Sequence, residues 1–168
     1  MNIKSEILDL YGKSVDDIGA IYNRYHQQNN FISELISYLP QIELQKAVTW
    51  LLKKYLESYG YIEPKEVKKI YSLLSKLKCW ESKLHVLQSI PFMPISKIES
   101  KKVEKFLREC LIDNNKFVRA WAYNGFNELS IQYNEYRQET EQFFEMAMRD
   151  EAPSVRSRIR NIMKQSRK

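Results

Sequence analysis

Asp150-Glu151-Ala152-Pro153-Ser154-Val155-Arg156 repeats the pattern of Asp113-Asn114-Asn115-Lys116-Phe117-Val118-Arg119. Asp, Val and Arg recur at the same relative positions, 37 residues apart. Each copy lies between two segments of helical apolar periodicity. A fixed period of this length marks chains built from stacked helical hairpins, because one hairpin alone cannot bury its apolar face.

The rest of the chain fits a helical reading, with almost no strand alternation. Ile3, Ile7, Leu8 and Tyr11 predict a short first helix closed by Gly12. Ser14-Val15-Asp16-Asp17 has the form of a capping box before the stripe Ile18, Ile21, Tyr22 and Tyr25. Phe31, Ile32, Leu35, Ile36 and Leu39 form a helix stopped at Pro40, since proline lacks the N–H a helix needs. A longer helix through Leu44, Val48, Leu51, Leu52 and Leu56 ends near Gly60. Pro64 suits the first turn of the next, which carries Val67, Ile70, Tyr71, Leu74 and Leu77. Trp80, Leu84 and Leu87 continue on a partner helix as far as Pro91. Pro91-Phe92-Met93-Pro94 reads as a turn, and Ser96-Lys97-Ile98-Glu99 as a second capping box before Val103, Phe106, Leu107 and Cys110.

Composition agrees. The chain has 168 residues with 4 Gly and 5 Pro, few for a fold rich in tight β turns. At 43% hydrophobic and 29% charged it predicts a soluble, ordered chain. No apolar run approaches the roughly 18 residues needed to span a bilayer, and the N-terminus lacks a signal-type apolar core. A cytoplasmic location with no membrane contact is expected. Cys79 and Cys110 have no CxxC neighbour and read as reduced, partly buried thiols. The net charge is +6 and uneven. Residues 1–62 are slightly acidic, residues 63–112 strongly basic, and the last sixteen hold Arg156, Arg158, Arg160, Lys164, Arg167 and Lys168 without an acid.

Aligning earlier helices on Val118 and Val155 gives a common template. Leu44, Trp80, Val118 and Val155 fall at one position. Val48, Leu84, Ala122 and Ile159 follow four residues on, and Leu51, Leu87, Gly125 and Ile162 three further. At about 100° per residue these rows lie within roughly 60°, one buried face presented repeatedly.

Asp in the inter-helix turn followed by Val-Arg at the start of the second helix resembles the signature of HEAT repeats, within the armadillo-type α-solenoids. The resemblance is specific over residues 100–166 and a pattern match over 29–91. The earlier units depart from it, with Leu39 and Ser75 for the Asp and Gln45 and Glu81 for the Arg. It implies an all-α, right-handed α-α superhelix of about four HEAT-like helix pairs. These would form one domain over 1–168, with cap helices in 1–28 and repeats at 29–60, 64–91, 97–131 and 135–166. It also implies a structural ladder of Asp113, Asp150, Arg119 and Arg156, and so an Asp113–Arg156 contact. Physically, the Asp can cap the second helix and the Arg can offer its planar fork to a neighbouring carboxylate.

The residues supply no catalytic constellation. His26 and His85 stand on separate helices without Cys, Asp or Glu at metal-ligand spacing, so no metal or cofactor is expected. Gly-rich phosphate loops, HExxH and GxSxG are absent. Glu139, Glu141 and Glu145 read as a solvated face, with Arg137 and Arg149 at i,i+4 spacing. Some HEAT-like proteins are DNA glycosylases with a Trp- and Asp-bearing concave face. Trp50, Trp80 and Trp121 here have no Asp one turn later, which disfavours that reading and an enzyme generally.

Beside the apolar rows runs a stripe one, five and nine residues after the reference position. It reads Gln45, Thr49, Lys53; Glu81, His85, Ser89; Arg119, Tyr123, Asn127; and Arg156, Arg160, Lys164. Second helices line the concave face of a solenoid. Lys53, His85, Arg119, Tyr123, Asn127, Arg156, Arg160 and Lys164 are therefore the expected concave binding surface. The favoured function is a non-catalytic protein-interaction scaffold (adaptor, inhibitor or immunity-type binder), monomeric, with a protein partner. The alternative is nucleic-acid backbone binding through the basic C-terminal part. Interrupting acids such as Glu145, Asp150 and Glu151, and the lack of aromatic–basic interleaving, favour the protein partner.

Overall fold

The computed structural model describes residues 2–10 and 15–165. Within them the chain is helical, without a strand. Ten α-helices follow one another: α1 Ile3–Asp9, α2 Val15–Tyr25, α3 Phe31–Tyr38, α4 Gln45–Tyr59, α5 Pro64–Ser72, α6 Trp80–Ser89, α7 Ser100–Leu111, α8 Lys116–Gln132, α9 Arg137–Asp150 and α10 Pro153–Gln165. No helix among the described residues is long and apolar enough to cross a membrane. The expected stop at Gly12, the capping box at Ser14, and Arg167 and Lys168 fall outside the described residues or depend on one that does.

The chain divides into two compact units, one through Met93 and one from Pro94 onward. In the first, α3 packs on α4 and α5, α2 on α4, and α4 lies along α6. The Glu6 carboxylate accepts hydrogen bonds from Arg24 and from the Tyr25 hydroxyl, tying α1 to α2. Leu35, Leu44, Val48, Leu51, Leu56, Tyr71 and Leu87 form its buried interior. Each such side chain taken fully out of water stabilises by about 1.5–3 kcal/mol.

Local chemistry sets the helix ends. Gly60 closes α4 at φ 70°, the left-handed conformation that a side chain disfavours. Pro64 begins α5 at a position needing no donor, and Glu63 and Glu66 cap each other's backbone. The sequence-predicted box at Ser96 forms by half. The Glu99 N–H reaches Ser96 Oγ at 3.4 Å, while Glu99 itself is buried.

In the second unit α8 is central, packed along α7 on one side and along α9 and α10 on others. Val103, Phe106, Leu107, Val118, Ala122, Phe126, Leu129, Val155 and Ile159 are buried there. Asn115, not Asp113, caps α8: its side-chain oxygen accepts the Phe117 and Val118 N–H groups. Asp113 accepts from Asn115 N at 2.9 Å.

Ten of the twelve template positions are buried. The two departures lie together in α6, where Trp80 is 42% exposed and Leu84 half-buried. Counted from the helix start, Val118 and Val155 are each the third residue, and so is Ser82. Ser82, Val86 and Ser89 are buried at the template's own spacing. The register of α6 is therefore two residues later than apolar residues alone predict, because serines fill two of its buried positions.

Candidate functional site

The polar stripe is covered where two second helices pack together within a unit, on α4 against α6 and on α8 against α10. On α4, Gln45 is 0% exposed. Its amide nitrogen donates to the carbonyls of Leu39 and Lys76 at 2.8 and 2.7 Å, and its oxygen accepts from Lys78 N at 3.0 Å. Thr49 is buried, with Oγ1 3.0 Å from His85 Nδ1 on α6. Lys53 is half-buried and paired with Glu57.

His85 shows the electrostatics of this seam. Burial pushes its imidazole down to about 4, and Lys53 and Lys46 add repulsion that nearby Glu81 only partly offsets. Folding thus holds the ring neutral while the unfolded chain takes up a proton below about 6.5. The stability tied to this group is complete above that pH. It is lost as pH falls toward 4 and below, by about 3 kcal/mol in all. Thermal melts should lose stability over this interval, and His85→Gln, which keeps a partner for Thr49, should flatten the loss. An unchanged profile would remove the assignment.

On α8 the same flank meets α10 and the turn before it. Arg119 grips Glu151 with two parallel bonds, Nε to Oε1 at 2.8 Å and Nη2 to Oε2 at 3.0 Å. Its remaining Nη1 donates to the carbonyls of Asp113 and Asn114. Tyr123 is 8% exposed in a cluster with Ala147, Val155 and Ile159, and burial pushes its hydroxyl up to about 12. Arg119 and Tyr123 were expected on a binding surface. The structure corrects this: one is committed to Glu151 and the other to the core.

The expected ladder is corrected as well. Arg119 pairs forward with Glu151, the residue after Asp150, and Asp150 itself is exposed. No hydrogen bond or ion pair joins Arg156 to Asp113 among the described residues, and Arg156 Nε is buried without a partner. The forward turn presents a longer carboxylate, which reaches the guanidinium where an Asp one residue earlier points to solvent.

Asn127, Arg156, Arg160 and Lys164 are the predicted residues still available to a ligand. Asn127 and Arg156 are half-buried, and Arg160 and Lys164 are exposed. Asn127 also lines a groove of about 1030 Å³ formed by α8, α9 and α10. Ile131, Phe144, Met148 and Met163 give it an apolar floor, and Arg137, Glu141, Glu145 and Arg149 a charged rim. Arg137 and Glu141 approach to 3.5 Å, both well exposed, a pair that contributes little to stability.

The chain matches no protein-family model, no curated protein and no solved structure.

Sequence reasoning missed this groove, because Glu141 and Glu145 read there as part of a solvated face. It also missed an aromatic stack in the first unit. Tyr22 and His26 stack at 4.7 Å, Tyr55 and Tyr59 meet at 4.6 Å, and His26 approaches Tyr59 at 6.2 Å. Two aromatic i,i+4 pairs, on α2 and α4, were the available signal. The Arg158 guanidinium lies 3.9 Å from the Trp121 ring centroid and takes one of its faces. Among the described residues no group of three or more His, Cys, Asp or Glu could hold a metal ion.

Proposed function

We propose that this protein is a non-catalytic interaction scaffold, an adaptor, inhibitor or immunity-type binder, built as a HEAT-like α-solenoid and working in the cytoplasm. The groove of the second unit carries this reading. It has an apolar floor, a mixed-charge rim and an open mouth, which suits a protein surface. Side-by-side second helices recur in both units, α4 with α6 and α8 with α10, which supports the repeat architecture. The thiols of Cys79 and Cys110, joined in no disulfide among the described residues, suit a reducing compartment.

Nucleic-acid binding is the second reading, favoured by one observation: α10 carries Arg156, Arg158, Arg160 and Lys164 and no acid. Arg158 is spent on Trp121, and Glu141 and Glu145 rim the neighbouring groove, which opposes a phosphate backbone.

Affinity capture with mass spectrometry, with and without nuclease, tests the choice. A protein retained through nuclease treatment and lost with Met163→Glu supports the scaffold. Binding that falls with a log–log salt slope of about −0.7 to −0.9 per phosphate supports the alternative. Capture of neither removes both.

A further inference from the structure

We propose that the α9–α10 edge of the second unit docks a second copy of this chain through a two-fold, self-complementary interface. The inference deepens the reading of that groove as a protein-docking surface and rests on it.

The 37-residue echo supplies the internal comparison. The α7–α8 edge presents Arg108, Arg119 and Phe126, and all three are covered. Arg108 pairs with Glu139 of α9 at 2.7 Å, Arg119 with Glu151, and Phe126 meets Phe143 edge-on at 5.0 Å. The equivalent positions on the next pair are Glu145, Arg156 and Met163. These lack such partners: Glu145 is exposed, Met163 is 40% exposed, and Arg156 is half-buried with an unpartnered Nε. A buried donor left without an acceptor is a cost that an incoming carboxylate removes.

One of these positions has changed sign. Arg108 attracts Glu139, whereas Glu145 in its place repels any α9-like helix arriving in the same way. The edge thus does not extend the stack by another like pair. Its acids, Glu141 and Glu145, lie on α9, and its cations, Arg156 and Arg160, on α10. A two-fold axis parallel to the helices and between them places α9 of one copy over α10 of the other, so acids meet cations twice.

The axial positions agree. Measured from the turn at Glu151 and Ala152 at about 1.5 Å per residue, Glu145 and Glu141 lie roughly 10 and 16 Å along α9. Arg156 and Arg160 lie roughly 7 and 13 Å along α10, about two residues' rise from their opposite numbers and within reach of long side chains. Phe144, Met148 and Met163 supply the apolar centre between these pairs. A two-fold leaves the same patch on both copies and closes at two.

Sedimentation of the full chain across the micromolar range, at low and high salt, tests this. A dimer weakened by salt is expected. Arg156→Glu and Glu145→Arg should each weaken it more than about tenfold, since each sets like charges opposite one another. The double variant Glu145→Arg, Arg156→Glu should restore it, with circular dichroism melts showing every variant folded. A chain monomeric throughout, or a dimer indifferent to these changes, overturns the proposal. A monomer that still captures a nuclease-resistant protein through Met163 removes the self-association alone. A monomer that captures none removes the docking reading with it.

Discussion

Arg119→Ala is expected to lower the stability of the second unit by about 2–4 kcal/mol. The side chain makes two bonds to Glu151 and two to backbone carbonyls, and the pair is largely withdrawn from water, at 21% and 15% side-chain exposure. Truncation leaves the Glu151 carboxylate without its counter-ion and strips the Asp113 and Asn114 carbonyls of a donor. Breaking a fully buried pair costs about 3–5 kcal/mol, and the residual exposure here reduces that. Glu151→Gln, which keeps one acceptor for the guanidinium, should cost less. Urea unfolding of the two variants checks the order. If Arg119→Ala melts with the wild type, the forward pair is ornamental.

Gln45→Leu should be about as damaging to the first unit, at about 2–4 kcal/mol, although leucine fits the volume and is more apolar. The amide satisfies three backbone groups on two stretches of chain, Leu39 on one and Lys76 and Lys78 on the other. Leucine satisfies none, and each buried polar group left unpaired costs about 1–3 kcal/mol. Gln45→Glu separates the contributions, since it keeps the acceptor for Lys78 and loses the donors. A leucine variant as stable as the wild type in urea would show that water replaces the amide.

How far the sequence reveals this molecule depends on which residues fill the interior. Where Val118, Ala122, Val155, Ile159 and Ile162 form the buried rows, periodicity places the helices and their inward faces. At Ser82 and Ser89 polar side chains sit inside, and apolar spacing selects Trp80 and Leu84 instead. The stripe was legible as a set but not in its role. Amphipathicity tells which flank is polar, not whether that flank meets water or another helix. Arg119 looks the same in both cases until Glu151 is seen against it. The groove was illegible because packing decides it: Met163 occupies the position that Phe126 fills in the previous pair, and only the fold shows that one is buried and the other 40% exposed.

The bonds of Gln45 bear on more than cohesion. A seam lined only by leucine and valine is nearly indifferent to a slip of one helical turn, about 5.4 Å, since one methyl group replaces another. Across α4 and α6 such a slip would strand two backbone partners at once, at Lys76 and Lys78, and separate Thr49 from His85. These few amides and hydroxyls act as an index mark, selecting which turn of one helix faces which turn of its neighbour.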